Sequence, residues 1–133
     1  MFINGNMKKI LFMALFIVGC SSNNNYFTAK NITVNYSDCS NMPLPNLKVC
    51  LDSVNDGRCP SDMVCVWGGN ASVRLTLKST KKRKTFTLNT HSNFQQDTLI
   101  DGMLIKLLSV TPYPKGDEID MAKYVIELEV TNQ

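Results

Sequence analysis

Apolar residues in this chain recur at every second position, and that period decides what it can fold into. Leu47, Val49 and Leu51 alternate with Lys48, Cys50 and Asp52, and Val73, Leu75 and Leu77 alternate with Arg74, Thr76 and Lys78. Phe86 and Leu88 follow the same rule against Thr85 and Thr87. Near the C-terminus Tyr124, Ile126, Leu128 and Val130 alternate with Val125, Glu127, Glu129 and Thr131. Successive side chains of a strand point to opposite faces, so this pattern describes strands with one face buried and one wet. No stretch carries the i, i+3, i+4, i+7 stripe with caps that an amphipathic helix needs.

Segment 103–110 is more continuously apolar. It reads as a central strand covered on both sides, because its β-branched neighbours and the following Thr111-Pro112-Tyr113-Pro114 weigh against a short helix. Turn chemistry separates the runs. Ser79-Thr80-Lys81-Lys82 makes 71–88 a hairpin, and Asp101-Gly102 joins 98–100 to 103–110. With 32–36 counted, about seven strands are expected, in one antiparallel sandwich or small barrel. At 133 residues there is room for one such domain, expected over 26–133.

The first nineteen residues follow a different logic. Lys8 and Lys9 precede an apolar run from Ile10 to Val18, the pattern of a cleaved signal peptide over 1–19. Nine residues span about 14 Å as a helix, too short for a bilayer core. Residues 1–6 add nothing to this pattern, so Met7 is an alternative start. Ile17-Val18-Gly19-Cys20 resembles a bacterial lipobox, in which the cysteine is lipidated and becomes the first residue of the mature protein. That resemblance implies a membrane anchor at Cys20 and a polar tether over 20–25. Ser21, rather than aspartate, after the cysteine implies outer-membrane sorting, facing the periplasm or the surface, if the envelope is Gram-negative. Removing Lys8 and Lys9 with the signal leaves 12 basic against 11 acidic side chains, so the basic excess belongs largely to export.

Setting Cys20 aside for lipid turns an odd five cysteines into an even four. In an exported chain these are expected as disulfides. The spacing favours Cys39 with Cys50 and Cys59 with Cys65, although four cysteines allow three connectivities. Both spacings miss the usual C-x2-4-C of zinc sites, and His91 is the only histidine, so no metal or other cofactor is expected.

Segment 56–71 carries the most distinctive residues. Asp56, Arg58, Cys59, Pro60, Cys65, Val66, Trp67, Gly69 and Ala71 resemble a pattern of small uncharacterised bacterial envelope proteins, Asp-x-Arg-Cys-Pro-x4-Cys-Val-Trp-x-Gly-x-Ala. This chain has Gly57 between Asp56 and Arg58, Gly68 where alanine is commoner, and Asn70 where glutamate is expected. The resemblance implies an envelope location and brings no activity with it. Two roles for the loop compete. Arg58 could enter a partner's acidic pocket from a rigid loop over 56–67, as a peptidase inhibitor would. Alternatively, Arg58 pairs with Asp56 or Asp62, or stacks on Trp67, and fixes the loop, which is the favoured expectation. Gly68-Gly69 is expected to serve a bulge or a positive-φ turn.

Lys78, Lys81, Lys82, Arg83 and Lys84 crowd one hairpin tip. They suit an anionic surface such as phospholipid headgroups, against the plainer reading of a solvated turn that blunts edge pairing. Nucleic acid is not expected, since no aromatic residues stand between the charges for stacking. Asp97, Asp101, Asp117, Glu118 and Asp120 supply carboxylates without a spacing that forms a catalytic pair, and no hydrolase motif occurs. The expectation is a non-catalytic binding or structural domain on the envelope, with an envelope protein as candidate partner and the oligomeric state left open.

Overall fold

The structure is a computed structural model that describes Gly19, residues 27–116 and residues 118–133. The expected signal peptide apart from Gly19, the lipidation site Cys20, the tether and Asp117 lie outside the described residues. The described residues are all-β, with eight strands in two antiparallel sheets. In chain order they are β1 (Lys30–Asn35), β2 (Cys39–Asn41), β3 (Leu47–Asp56), β4 (Ala71–Ser79), β5 (Arg83–Asn89), β6 (Asp97–Ile100), β7 (Met103–Thr111) and β8 (Val125–Asn132). One sheet runs β1-β8-β7-β6 and the other β2-β3-β4-β5. The expected hairpin over 71–88 is β4 and β5, in register from Ser72 with Asn89 to Lys78 with Arg83.

The inward set follows the period-two residues of β4 and β8, while Cys50, expected on the wet face of β3, is buried beside its disulfide partner on β2. Ile32 and Val34 of β1, Val73, Leu75 and Leu77 of β4, and Ile126, Leu128 and Val130 of β8 meet in one core between the sheets. Two β-bulges break the period. The register of β3 against β4 shifts between Leu51 and Ser53, and that of β7 against β8 shifts between Leu107 and Ser109. A bulge adds one residue and flips every later side chain to the other face. Hence Met103, Ile105 and Leu107 point inward, Leu108 is exposed, and Val110 points inward again. The continuous apolar run over 103–110 therefore marks this bulge, not a strand covered on both sides.

The count of about seven strands becomes eight through β2. At three residues β2 is too short to show a period, and its place is set by Cys39, which faces Cys50 directly across the β2–β3 pair and is disulfide-bonded to it.

The strands define two poles. At one, the β4–β5 turn, the β6–β7 turn at Asp101-Gly102 and the start of β1 at Lys30 come together, with Lys84 Nζ 3.7 Å from Asp101. At the other lie the long β3–β4, β5–β6 and β7–β8 connections. Eight steps of β4 at the antiparallel rise of about 3.4 Å place the poles roughly 27 Å apart.

Candidate functional site

The β3–β4 connection leaves the sheet at Asp56 and returns at Ala71. Its base is zipped by Gly57 N donating to Asn70 O (2.8 Å) and Cys59 N to Gly68 O (3.3 Å). The Cys59–Cys65 disulfide closes its tip. Gly69 has φ +71°, and a Cβ there would run into the Gly57 carbonyl and lie 2.7 Å from the Arg58 Cα. Only glycine lets the returning arm pass that closely. Gly68 has open space around it, so the positive-φ turn expected of the pair rests on Gly69 alone.

Beneath the loop Arg58 is 9% exposed. Its Nε and Nη2 donate to the two oxygens of Asp56 at 2.8 and 2.7 Å, a bidentate fork. Nη1 donates to the Val110 carbonyl (2.7 Å), and Nη2 also donates to the Pro112 carbonyl (3.0 Å). The guanidinium carbon lies 4.3 Å from the centre of the Tyr113 ring. Tyr124 Oη completes the set by donating to Asp56 Oδ2 (2.7 Å). Burial pushes the Asp56 carboxyl up, but the hydrogen bonds from Arg58 and Tyr124 outweigh it and hold its pKa below the ordinary value. Burial, followed by the hydrogen bond to Asp56, pushes the Tyr124 phenol up to about 12.

These contacts place the sequence candidates. Arg58 pairs with Asp56 and not with Asp62, which instead accepts from Gly116 N (2.9 Å) and helps tie the loop to the β7–β8 connection. The stacking partner is Tyr113, not Trp67, because the β7–β8 connection packs under the loop while Trp67 projects from its outer side at 67% exposure. Asp56 and Arg58 are thus brought together, and Trp67 is held apart from them. Tyr113, Tyr124 and the carbonyls of Val110 and Pro112 are parts of the site that sequence reasoning missed. Thr111-Pro112-Tyr113-Pro114 stood out as a turn, but nothing local to it pointed to Arg58.

The tip of the loop is apolar and wet. Val64 and Val66 are 102% and 104% exposed, and Met63 and Trp67 are also exposed. A cleft of about 480 Å³ opens beside the loop, lined among others by Gly68, Gly69, His91, Leu108 and Tyr113. Of the carboxylates considered for catalysis, Asp101 sits at the opposite pole and Asp120 caps the short 3-10 turn Met121–Lys123, where it accepts from Ala122 N. Among the described residues no three His, Cys, Asp or Glu side chains gather as a metal site. No family model matches the chain, and neither a curated protein nor a solved structure matches it.

Proposed function

We propose that the chain is a lipid-anchored bacterial envelope protein whose β-domain works by binding a protein partner rather than by catalysis. The lipobox residues ending at Cys20 and the two disulfides, which suit an oxidising compartment, support the location. The observation that carries the binding role is the contrast within one loop. Its base is held by a buried ion pair and a glycine with no room for a side chain, and its tip is closed by a disulfide yet gives Met63, Val64, Val66 and Trp67 to solvent. Exposed apolar clusters mark contact surfaces, and a braced loop loses little entropy when it is covered.

The inhibitor alternative needs Arg58 as the inserted residue. That guanidinium is turned inward onto Asp56, Val110 and Pro112, so recognition falls to the apolar tip instead. The test is capture of envelope proteins on the intact chain, followed by mass spectrometry. The expected result is one partner retained by the native loop and lost when Val64, Val66 and Trp67 become serine. Identical capture by both forms overturns the role of the tip. Anchoring is tested separately by incorporation of labelled palmitate, expected in the native chain and abolished by Cys20→Ser; equal labelling of both would remove the anchor.

A further inference from the structure

The basic hairpin tip, read from sequence as an isolated run, is not isolated in the fold. Lys78 faces Arg83 across the β4–β5 pair and Lys48 across the β3–β4 pair, so the positive charge spreads over three strands. Lys81, Lys82, Arg83 and Lys84 are all exposed, and Asp101 is the carboxylate that meets them, 3.7 Å from Lys84. Between the ends of the two sheets this pole also holds an apolar notch of about 170 Å³. Leu44, Leu47, Leu77 and Met103 line it together with Lys82, Lys84 and Asp101, so two cations and one carboxylate share the notch. Cations around an apolar mouth are what a headgroup-to-acyl boundary complements. Lys30, the first residue of β1, lies at the same pole, level with Val130 of β8 and Ile105 of β7.

We infer that this pole is the face the domain lays against an anionic phospholipid surface, with the Trp67 loop directed away from it. The inference rests on the proposed anchor at Cys20 for the identity of the surface. Ten residues reach from Cys20 to Lys30, at most about 35 Å even fully extended. Bringing the opposite pole to the same membrane would use some 27 Å of that reach, well beyond the roughly 16–19 Å relaxed span of ten flexible residues, at a cost in conformational entropy. The lysine pole needs no such extension. Each lysine or arginine near an anionic leaflet strengthens the contact by roughly fivefold, and four of them act together here. Docking therefore points the braced loop outward, where a partner can reach it.

The test reconstitutes the full chain into vesicles of phosphatidylcholine alone or with phosphatidylglycerol, followed by amine acylation read by mass spectrometry. On the anionic vesicles Lys81, Lys82 and Lys84 are expected to be protected several-fold, while Lys115 and Lys123 at the other pole label as on neutral vesicles. The protection should vanish in about 1 M salt, where the Debye length falls to ~3 Å. In a chain carrying K81S, K82S, R83S and K84S, Lys48 and Lys78 should lose their protection. Trp67, the single tryptophan, serves as the reporter of the far pole and should stay open to iodide and untouched by brominated lipid. Equal labelling of the tip lysines on both vesicles overturns the inference, as does protection of Lys115 and Lys123 with quenching of Trp67 by brominated lipid. Release of the chain from either vesicle by salt would instead count against the anchor. The two readings therefore fail separately.

Discussion

Replacing Arg58 with alanine removes a guanidinium that makes two hydrogen bonds to Asp56 and one each to the carbonyls of Val110 and Pro112. The Asp56 side chain is 1% exposed, so its charge cannot be rescued by water. It would keep only the Tyr124 hydroxyl and the backbone N–H of residue 58. Summing the lost contacts at about 1.5–3 kcal/mol each would count the same desolvation several times. The measured cost of stripping one partner from a buried pair is the better guide, about 3–5 kcal/mol. For a domain whose whole stability is about 5–15 kcal/mol, that is a large fraction.

Urea unfolding followed by circular dichroism, with disulfides intact, is the assay; Trp67 is too exposed to report on the core. With a slope of about 1.5 kcal/mol per molar the midpoint should fall by roughly 2–3 M. Should the alanine variant fail to fold, Arg58→Lys keeps the charge without the fork and should lie between. The cost should also fade in acid. The folded pKa of Asp56 is depressed, so its contribution is present above the unfolded carboxylate range and is lost as pH falls through the folded value. A midpoint shift under about 0.5 M at neutral pH would refute the bracing role. So would effects of Arg58→Ala and Asp56→Ala that simply add, since partners in one network must couple.

Tyr124→Phe should cost about 1–2 kcal/mol through the lost bond to Asp56, measured by the same unfolding assay. In the native chain the phenol, raised from 10 to about 12, contributes stability below pH 10 that is lost as pH rises through 12, some 2–3 kcal/mol by linkage. A tyrosinate absorbance titration of native and Tyr124→Phe chains should show that late step only in the former. Gly69→Ala should destabilise by at least 1–3 kcal/mol, whereas Gly68→Ala should stay within about 0.5 kcal/mol, and thermal melts of the two separate a strained position from a free one. Replacing Cys59 and Cys65 together with serine should cost about 2–2.5 kcal/mol on the chain-entropy argument. The Cys39 and Cys50 pair, which closes a longer loop, should cost about 2.5–3 kcal/mol when replaced in the same way.

Much of the fold was legible because its cause is local. A strand announces itself through alternation, so the inward residues of β4 and β8 could be read before their partners were known. The β4–β5 hairpin and the Asp101-Gly102 turn are short-range and carry their own turn residues. Where local reading misjudged a segment, a long-range partner decided. Residues 103–110 look like one apolar run, and only the register against β8 shows the bulge after Leu107 that turns Val110, rather than Ser109, into the core. Strand β2 is a strand because Cys50 lies opposite it.

Sequence alone determined the all-β class, the parity of cysteines once Cys20 is set aside and the charge of the hairpin tip, whereas the choice among three disulfide connectivities was the structure's. Each of these depends on residue type and on spacing along a few neighbours. Tertiary structure decided that Arg58 faces inward, because its acceptors at Val110 and Pro112 lie 52 and 54 residues away and no local pattern could point to them. It also decided that the lysine tip shares a pole with the start of β1 while the apolar loop occupies the other. Strand order sets which ends of distant segments meet, and strand order arises from burying all the inward faces in one core, not from any one segment.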